Sequence, residues 1–205
     1  MARYRGPRLK IIRRLGTPLP GLMRTEADLK RPFPPGQHGP SRKSKLSGFA
    51  LRLREKQKLR FHYGVSEKQL NRYVESVFKT KGNPGLNLLV KLESRLDNII
   101  FRSCFAPSIN AARQMVRHGH ITINNQRVDI PSYMTSPEEV IGVYEKSKMQ
   151  KAIQTNQKDQ DNLPIPGYLL PMEDGKRVKI TTLPTRKDVP ITVNEQLIIE
   201  YYSGK

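Results

Sequence analysis

From Ala2 to Lys45 the apolar residues show neither the three-to-four spacing of a helix nor the alternation of a strand, and prolines at 7, 18, 20, 32, 34, 35 and 40 punctuate the stretch. That pattern predicts an extended arm. A helix follows over Ala50 to Phe61, with Leu51, Leu59 and Phe61 apolar and Arg52, Arg54, Lys56, Lys58 and Arg60 spread around the rest. Ser66-Glu67-Lys68-Gln69 has the spacing of a capping box, in which hydroxyl and amide side chain satisfy each other's backbone N–H. Leu70, Tyr73, Val74, Val77 and Phe78 then recur at helical spacing, and Gly82 supplies a left-handed stop. Asn83 caps the next helix, with Pro84 at its first position and Leu86, Leu89, Leu92, Leu96 and Ile99 carrying it to about Arg102. On that reading Arg95 and Arg102 share one face. Ser108 caps a helix over Ile109 to His118, where Ile109, Ala112, Met115 and Val116 point inward and Arg113 and Arg117, four apart, share the outer face.

The pattern then changes period. Ile121 to Val128 alternates around Asn124-Asn125, a pair that tolerates the positive φ of a tight hairpin, and Val140 to Tyr144 forms a further strand. Lys146 to Lys158 reads as a helix running into a polar loop, and Leu163 to Pro190 as a proline-rich stretch with a turn at Asp174-Gly175. Leu197 to Tyr202 is too short and apolar to stand alone and should pack back on the helical part. The fold class is α+β: a basic arm (1–45), a helical domain (46–92, completed by 156–205) and a helix-helix-hairpin module (93–155).

Charge turns this outline toward a partner. The chain has 205 residues and a formal net charge of +19. By our count the first sixty residues hold about seventeen Lys and Arg against about three acids. Such an excess wants a polyanion. The arm's composition fits both an unstructured tail and an arm that folds onto its partner. The segment Pro35-Gly36-Gln37-His38-Gly39 favours the second, because two glycines around a His allow close backbone approach to a phosphate. In the arm, Arg3, Arg5, Arg8, Arg13, Arg14, Arg42 and Lys43 are the candidate contacts. In the module they are Arg95, Arg102, Arg113, Arg117, His118 and Arg127. Aromatic residues make up 7% and Trp is absent, so the expected partner is folded RNA recognised by shape and phosphate, not single strands stacked on a sheet.

Catalytic and metal chemistry find little support. His118 and His120 lie two apart but lack a third ligand nearby, so phosphate or ribose contact is the preferred reading. Cys104, the only cysteine, has no adjacent His and reads as a small core residue, with no disulfide and a reducing compartment. No phosphate-binding glycine loop or Ser-His-Asp set is present. No cofactor, enzyme activity, membrane contact or homo-oligomer is expected.

Several blocks together resemble the small-subunit ribosomal protein S4 family: Met1 to Pro7, Pro35 to Gly39, Leu53 to Arg60, Arg95-Leu96-Asp97-Asn98, Ala111 to Gln114, His118 to Ile121, Asn194 to Leu197 and Glu200 to Ser203. They recur in the family's order over nearly the whole chain. The resemblance implies a primary binder of small-subunit ribosomal RNA. Such a protein docks early in assembly at a helical junction of the 5′ domain. It later neighbours ribosomal protein S5 near where messenger RNA enters, influencing decoding accuracy. It also implies RNA contacts at Arg3, Tyr4, Arg5, Gln37, His38, Arg54, Lys58, Arg113, His118 and His120. Three departures stand out: the N-terminal zinc-binding cysteines of some relatives are absent, the usual hairpin Asn-Gly is Asn124-Asn125, and Asp159 to Asp188 matches poorly. Leu15-Gly16, Phe61 to Gly64 and Glu200 to Ser203 resemble the cyanobacterial and plastid branch. With the family motif starting right after Met1, synthesis inside a plastid is the preferred expectation and a bacterial cytoplasm the alternative.

The same module is also appended to RNA-modifying enzymes and tyrosyl-tRNA synthetases, but no remaining segment is long or acidic enough to supply a catalytic domain. A free RNA chaperone is a third reading.

Overall fold

Residues 8–15 form a helix where the proline-rich arm predicted none. In the computed structural model, which describes residues 4, 6–23, 31–41, 45–145, 147, 149–158, 164–172 and 175–204 (151, 152 and 158 by backbone alone), helix α1 spans Arg8–Leu15. Ile11, Ile12 and Leu15 bury one stripe, and Gly16, at φ 63°, turns the chain out of the helix with its N–H on the Ile12 carbonyl. The chain divides into two units, Met1–Leu88 with Pro190–Lys205 and Leu89–Val189.

The first unit is helical. Helix α2 (Gly48–His62) is N-capped by Ser47, and α3 (Glu67–Phe78) starts with the expected capping box, Ser66 Oγ accepting from the Gln69 N–H. Leu70, Val74 and Val77 are buried, whereas Phe78 is exposed. Helix α4 (Pro84–Glu93) begins at Asn83, whose side chain accepts from the Gly85 N–H at 2.9 Å. The C-terminal segment packs back here as α8 (Glu195–Ser203), following the eight elements described below, and lies against α2 and α3. Its N-cap, Asn194, is tied down by Glu55, which accepts from the Asn194 N–H at 3.1 Å. Lys56 is buried with its ammonium 4.7 Å from the Tyr201 ring centre and 2.8 Å from Glu67, and Tyr202 donates to the same carboxylate at 3.0 Å.

Burial would push the Glu67 carboxyl up, but the hydrogen bonds from Lys56 and Tyr202 outweigh it, so its pKa lies below the ordinary 4.5. A carboxylate depressed in the folded state stabilises above its unfolded pKa and loses that contribution as pH falls through the lower folded value. The thermal midpoint of the native chain should therefore fall as pH drops below about 4.5. Glu67→Gln should remove that component of the acid limb; an identical limb in the variant would show that Glu67 does not couple the helices.

The second unit packs helices against a sheet. What reads as one helix from Pro84 to Arg102 is two: α4 ends at Glu93 and α5 (Leu96–Arg102) starts after Arg95, which sits at φ −74°, ψ 138°. The break has a long-range cause. The Leu96 and Asp97 N–H groups donate to the Tyr133 and Pro131 carbonyls at 2.9 and 3.1 Å, and Thr135 donates through N–H and hydroxyl to the Ser94 carbonyl. Helix α6 (Ile109–Arg117) carries the expected Ser108 cap and buries Ile109, Ala112, Met115 and Val116.

Strands β1 (Ile121–Ile123) and β2 (Gln126–Arg127) form the expected hairpin, with Asn124 at φ 48° and Asn125 at φ 68°. Strand β3 (Val140–Val143) pairs with β1, and α7 (Gln150–Lys158) follows. The stretch assigned no regular structure supplies two more strands, β4 (Leu169–Pro171) and β5 (Arg177–Ile180), so the antiparallel sheet runs β2-β1-β3-β5-β4. Of the turn expected between them, Gly175 adopts φ 62°, while Asp174 lies outside the described residues. Residues 169–180 thus belong to the module's sheet and not to the helical domain. Ile121, Ile123, Ile141, Val143, Leu169, Val178 and Ile180 are all buried on one face. Cys104 is buried as expected, at an unexpected φ of 62°.

Candidate nucleic-acid interface

Helix α6 ends in a cluster of cationic and imidazole side chains. Arg117 is its last residue, His118 its cap, and both are exposed. Gly119, at φ 70°, turns the chain into β1. A Cβ at Gly119 would be strained by the positive φ and would displace the Arg127 guanidinium, so glycine here keeps that side chain in place. Arg127, on β2, is exposed but held in place. Its Nε donates to the Gly119 carbonyl at 3.0 Å and its guanidinium carbon stands 4.8 Å from the Tyr144 ring centre. His120 is half-buried, its ring centre 6.0 Å from that of His118 and its Nδ1 3.0 Å from the Ser147 hydroxyl.

The charge on this cluster is one-sided. Burial first, then the neighbouring His118 and Arg127, push the His120 pKa below its ordinary value, so the imidazole stays neutral at pH 7. The C-terminal end of a helix is the negative end of its dipole, so an anion held here is held by side chains alone. Arg117, Arg127 and the two imidazoles supply donors whose orientation is set by a tight turn, a backbone carbonyl and an aromatic face. Such a constellation suits a phosphate ester. Among the described residues no group of three His, Cys, Asp or Glu side chains could hold a metal ion.

Three arginines expected on this surface are elsewhere. Arg95 and Arg113 are 1% and 3% exposed, and both bind one buried carboxylate. Arg95 Nε and Nη2 donate to the two Asp97 oxygens at 3.0 and 2.8 Å, and Arg113 Nε donates to Asp97 Oδ2 at 2.6 Å. Arg113 therefore does not share an outer face with Arg117. Arg102 is 8% exposed and donates to the Asp188 carbonyl at 2.7 Å. The charge of Arg113 is met by an acid on the preceding helix, not by an external anion.

In the first unit, Arg54 caps α1, both Nε and Nη2 donating to the Leu15 carbonyl. Lys58 pairs with Glu55 at 2.6 Å in a setting where both side chains are mostly buried. Arg13 donates from Nε to the Phe33 carbonyl at 3.1 Å and stacks on the Phe33 ring. These three serve the unit's own packing first. Tyr4, Arg8, Arg14, Gln37 and His38 are exposed, with Tyr4 edge-on to Phe61. The approach allowed by Gly39 is made to the Pro34 carbonyl of the same loop. Arg3, Arg5, Arg42 and Lys43 lie outside the described residues. Sequence reasoning missed Gly119 and Tyr144 as positioning residues; a glycine between two histidines just past a helix was the available signal.

A helix-capped hairpin with a cationic rim, in a chain that also has a basic helical unit, is the arrangement of an RNA-binding protein. Residues 3–93 match the family model described as the ribosomal protein S4/S9 N-terminal domain, and residues 94–141 match the S4 domain. The chain is 49% identical to the small ribosomal subunit protein uS4 of Cyanothece sp. and to that of Synechococcus elongatus, over all of this chain and all of each relative. It is 47% identical over the same full extent to that of Synechocystis sp.. The chain belongs to the uS4 family, a family of ribosomal structural proteins and not of enzymes.

Proposed function

We propose that this chain is a structural constituent of the small ribosomal subunit and a primary binder of its ribosomal RNA. The observation that carries the reading is the placement of Arg117, His118 and Arg127 as exposed donors on a fixed turn, in a chain of net charge +19. Phosphate contact of this kind depends on counterion release and needs no base-edge reading. The family's early docking at a 5′-domain junction, its neighbour ribosomal protein S5 and its influence on accuracy extend the same reading. Among the described residues no helix is long and apolar enough to cross a membrane. Plastid ribosomes are the proposed location, on the strength of Leu15-Gly16, Phe61 to Gly64 and Glu200 to Ser203. The cyanobacterial relatives fit the bacterial cytoplasm as well.

Sedimentation tests the assignment. The tagged protein should travel with small subunits and remain through a high-salt wash that strips loosely bound factors, while footprinting shows protection confined to one region of small-subunit RNA. Release by the wash, or protection scattered over unrelated RNAs, would instead identify a free RNA chaperone.

A further inference from the structure

The outward face of the sheet carries cations that the cluster at the end of α6 does not include. The strand register places Arg127, Thr122, Gly142 and Arg177 side by side in one row across β2, β1, β3 and β5. Because side chains alternate along a strand, Lys179 shares that face, as do His120 and Tyr144, where the Tyr144 N–H donates to the His120 carbonyl at 2.8 Å. Every residue of opposite parity in β1, β3 and β5 is a buried Ile or Val. The row is thus the polar side of an amphipathic sheet, continuous with the His118, His120 and Arg127 cluster.

Gly142 shapes this face. A Cβ there would come within 3.1 Å of Arg177 Cγ and 3.2 Å of Thr122 Oγ1, so the glycine leaves room for the Arg177 stem to lie across the strand beside Thr122, which is buried. Arg177 is exposed, and Arg127 closes the other end of the row. Three interstrand steps separate their backbones, roughly 14 Å. A nucleic-acid strand presents a charge every 3.4 Å or so of its axis and so brings several phosphates over that span. Glu173 and Asp174, between β4 and β5, lie outside the described residues, and among the described ones the carboxylates beside the row are few. Glu138 pairs with Lys179 at 2.6 Å, Glu139 is bound by the Tyr133 hydroxyl and the Ser136 N–H, and Glu145 lies exposed beyond Tyr144. Leu170, on the edge strand, is exposed, and Val140, opposite Lys179, is half-buried on the same face.

We propose that the RNA backbone continues from the end of α6 across the outward face of the sheet, and that Arg177 is its far anchor. This rests on the reading of the chain as a ribosomal RNA binder and extends it to a segment past the family-model matches, which end at residue 141. The cations of the face select RNA over a protein partner.

The test measures binding of the full chain to small-subunit ribosomal RNA as a function of salt. Arg177→Gln should weaken binding several-fold and make the slope of log K against log salt shallower by about one, with an unchanged melting curve. Arg177→Lys, which keeps the charge, should keep the slope. Lys79→Gln, at an exposed position past α3, should leave the slope as it is. An unchanged slope in Arg177→Gln while the native chain binds overturns the proposal, as does an equal fall in Lys79→Gln or a fall in Arg177→Lys. Loss of an acidic ribosomal protein partner with RNA binding intact also overturns it, in favour of a protein contact. A native chain with no preference for ribosomal RNA would instead remove the underlying reading.

Discussion

Replacing Asp97 with alanine will lower the unfolding free energy of the second unit by about 3–5 kcal/mol, the cost of removing one partner from a buried ion pair. Asp97 is 1% exposed and accepts from both Arg95 and Arg113. Guanidinium groups do not deprotonate in proteins, so neither arginine can escape its burial by losing its charge when the acid is gone. The variant leaves two buried cations without the carboxylate that both contact. Arg113→Ala should cost less, because Arg95 and Asp97 remain a balanced, two-pronged pair. Denaturant melts followed by circular dichroism will rank the variants. If Asp97→Ala loses no more than Arg113→Ala, the carboxylate is not the hub of this cluster. Arg113→Ala should also leave the salt slope of RNA binding untouched in the folded protein, which separates a buried arginine from a surface one.

This cluster also shows where sequence reading stops. Local chemistry was legible. Ser66 with Gln69, Asn83 and Ser108 cap the helices they precede, and Asn124-Asn125 takes the positive φ values of a tight hairpin. Each depends on groups within a few residues. The interruption before Arg95 was not legible, because the amides of Leu96 and Asp97 are claimed by carbonyls some 35 residues on. An unbroken apolar period is compatible with both arrangements. Arg95 and Arg113 looked like surface charge since nothing local says that Asp97 will meet them in the interior.

Helix α1 was hidden by the prolines around it, although Ile11, Ile12, Leu15 and the stop at Gly16 carry a short helical signature. The β4 and β5 pair was missed for a related reason. Arg177, Val178, Lys179 and Ile180 do alternate, but four residues in a proline-rich stretch declare themselves only once β3 is there to pair with. Of the candidate site, Arg117, His118 and Arg127 are exposed as the sequence suggests, whereas His120 is half-buried. What fixes it, Gly119 and Tyr144, became visible only in three dimensions.

The central claim is that exposed cations at the end of α6 and on the hairpin hold ribosomal RNA phosphates. The variant that tests it combines Arg117→Ala with Arg127→Met, the methionine keeping an apolar stem against Tyr144 while removing the charge. Two lost phosphate contacts should weaken binding about tenfold to a hundredfold. Titrating small-subunit ribosomal RNA with native and variant protein between about 50 and 200 mM salt gives the decisive slopes. The account predicts a steep native dependence that becomes shallower by about two in the variant, with folding intact. Equal slopes for the two proteins would contradict it and move the RNA to a different surface.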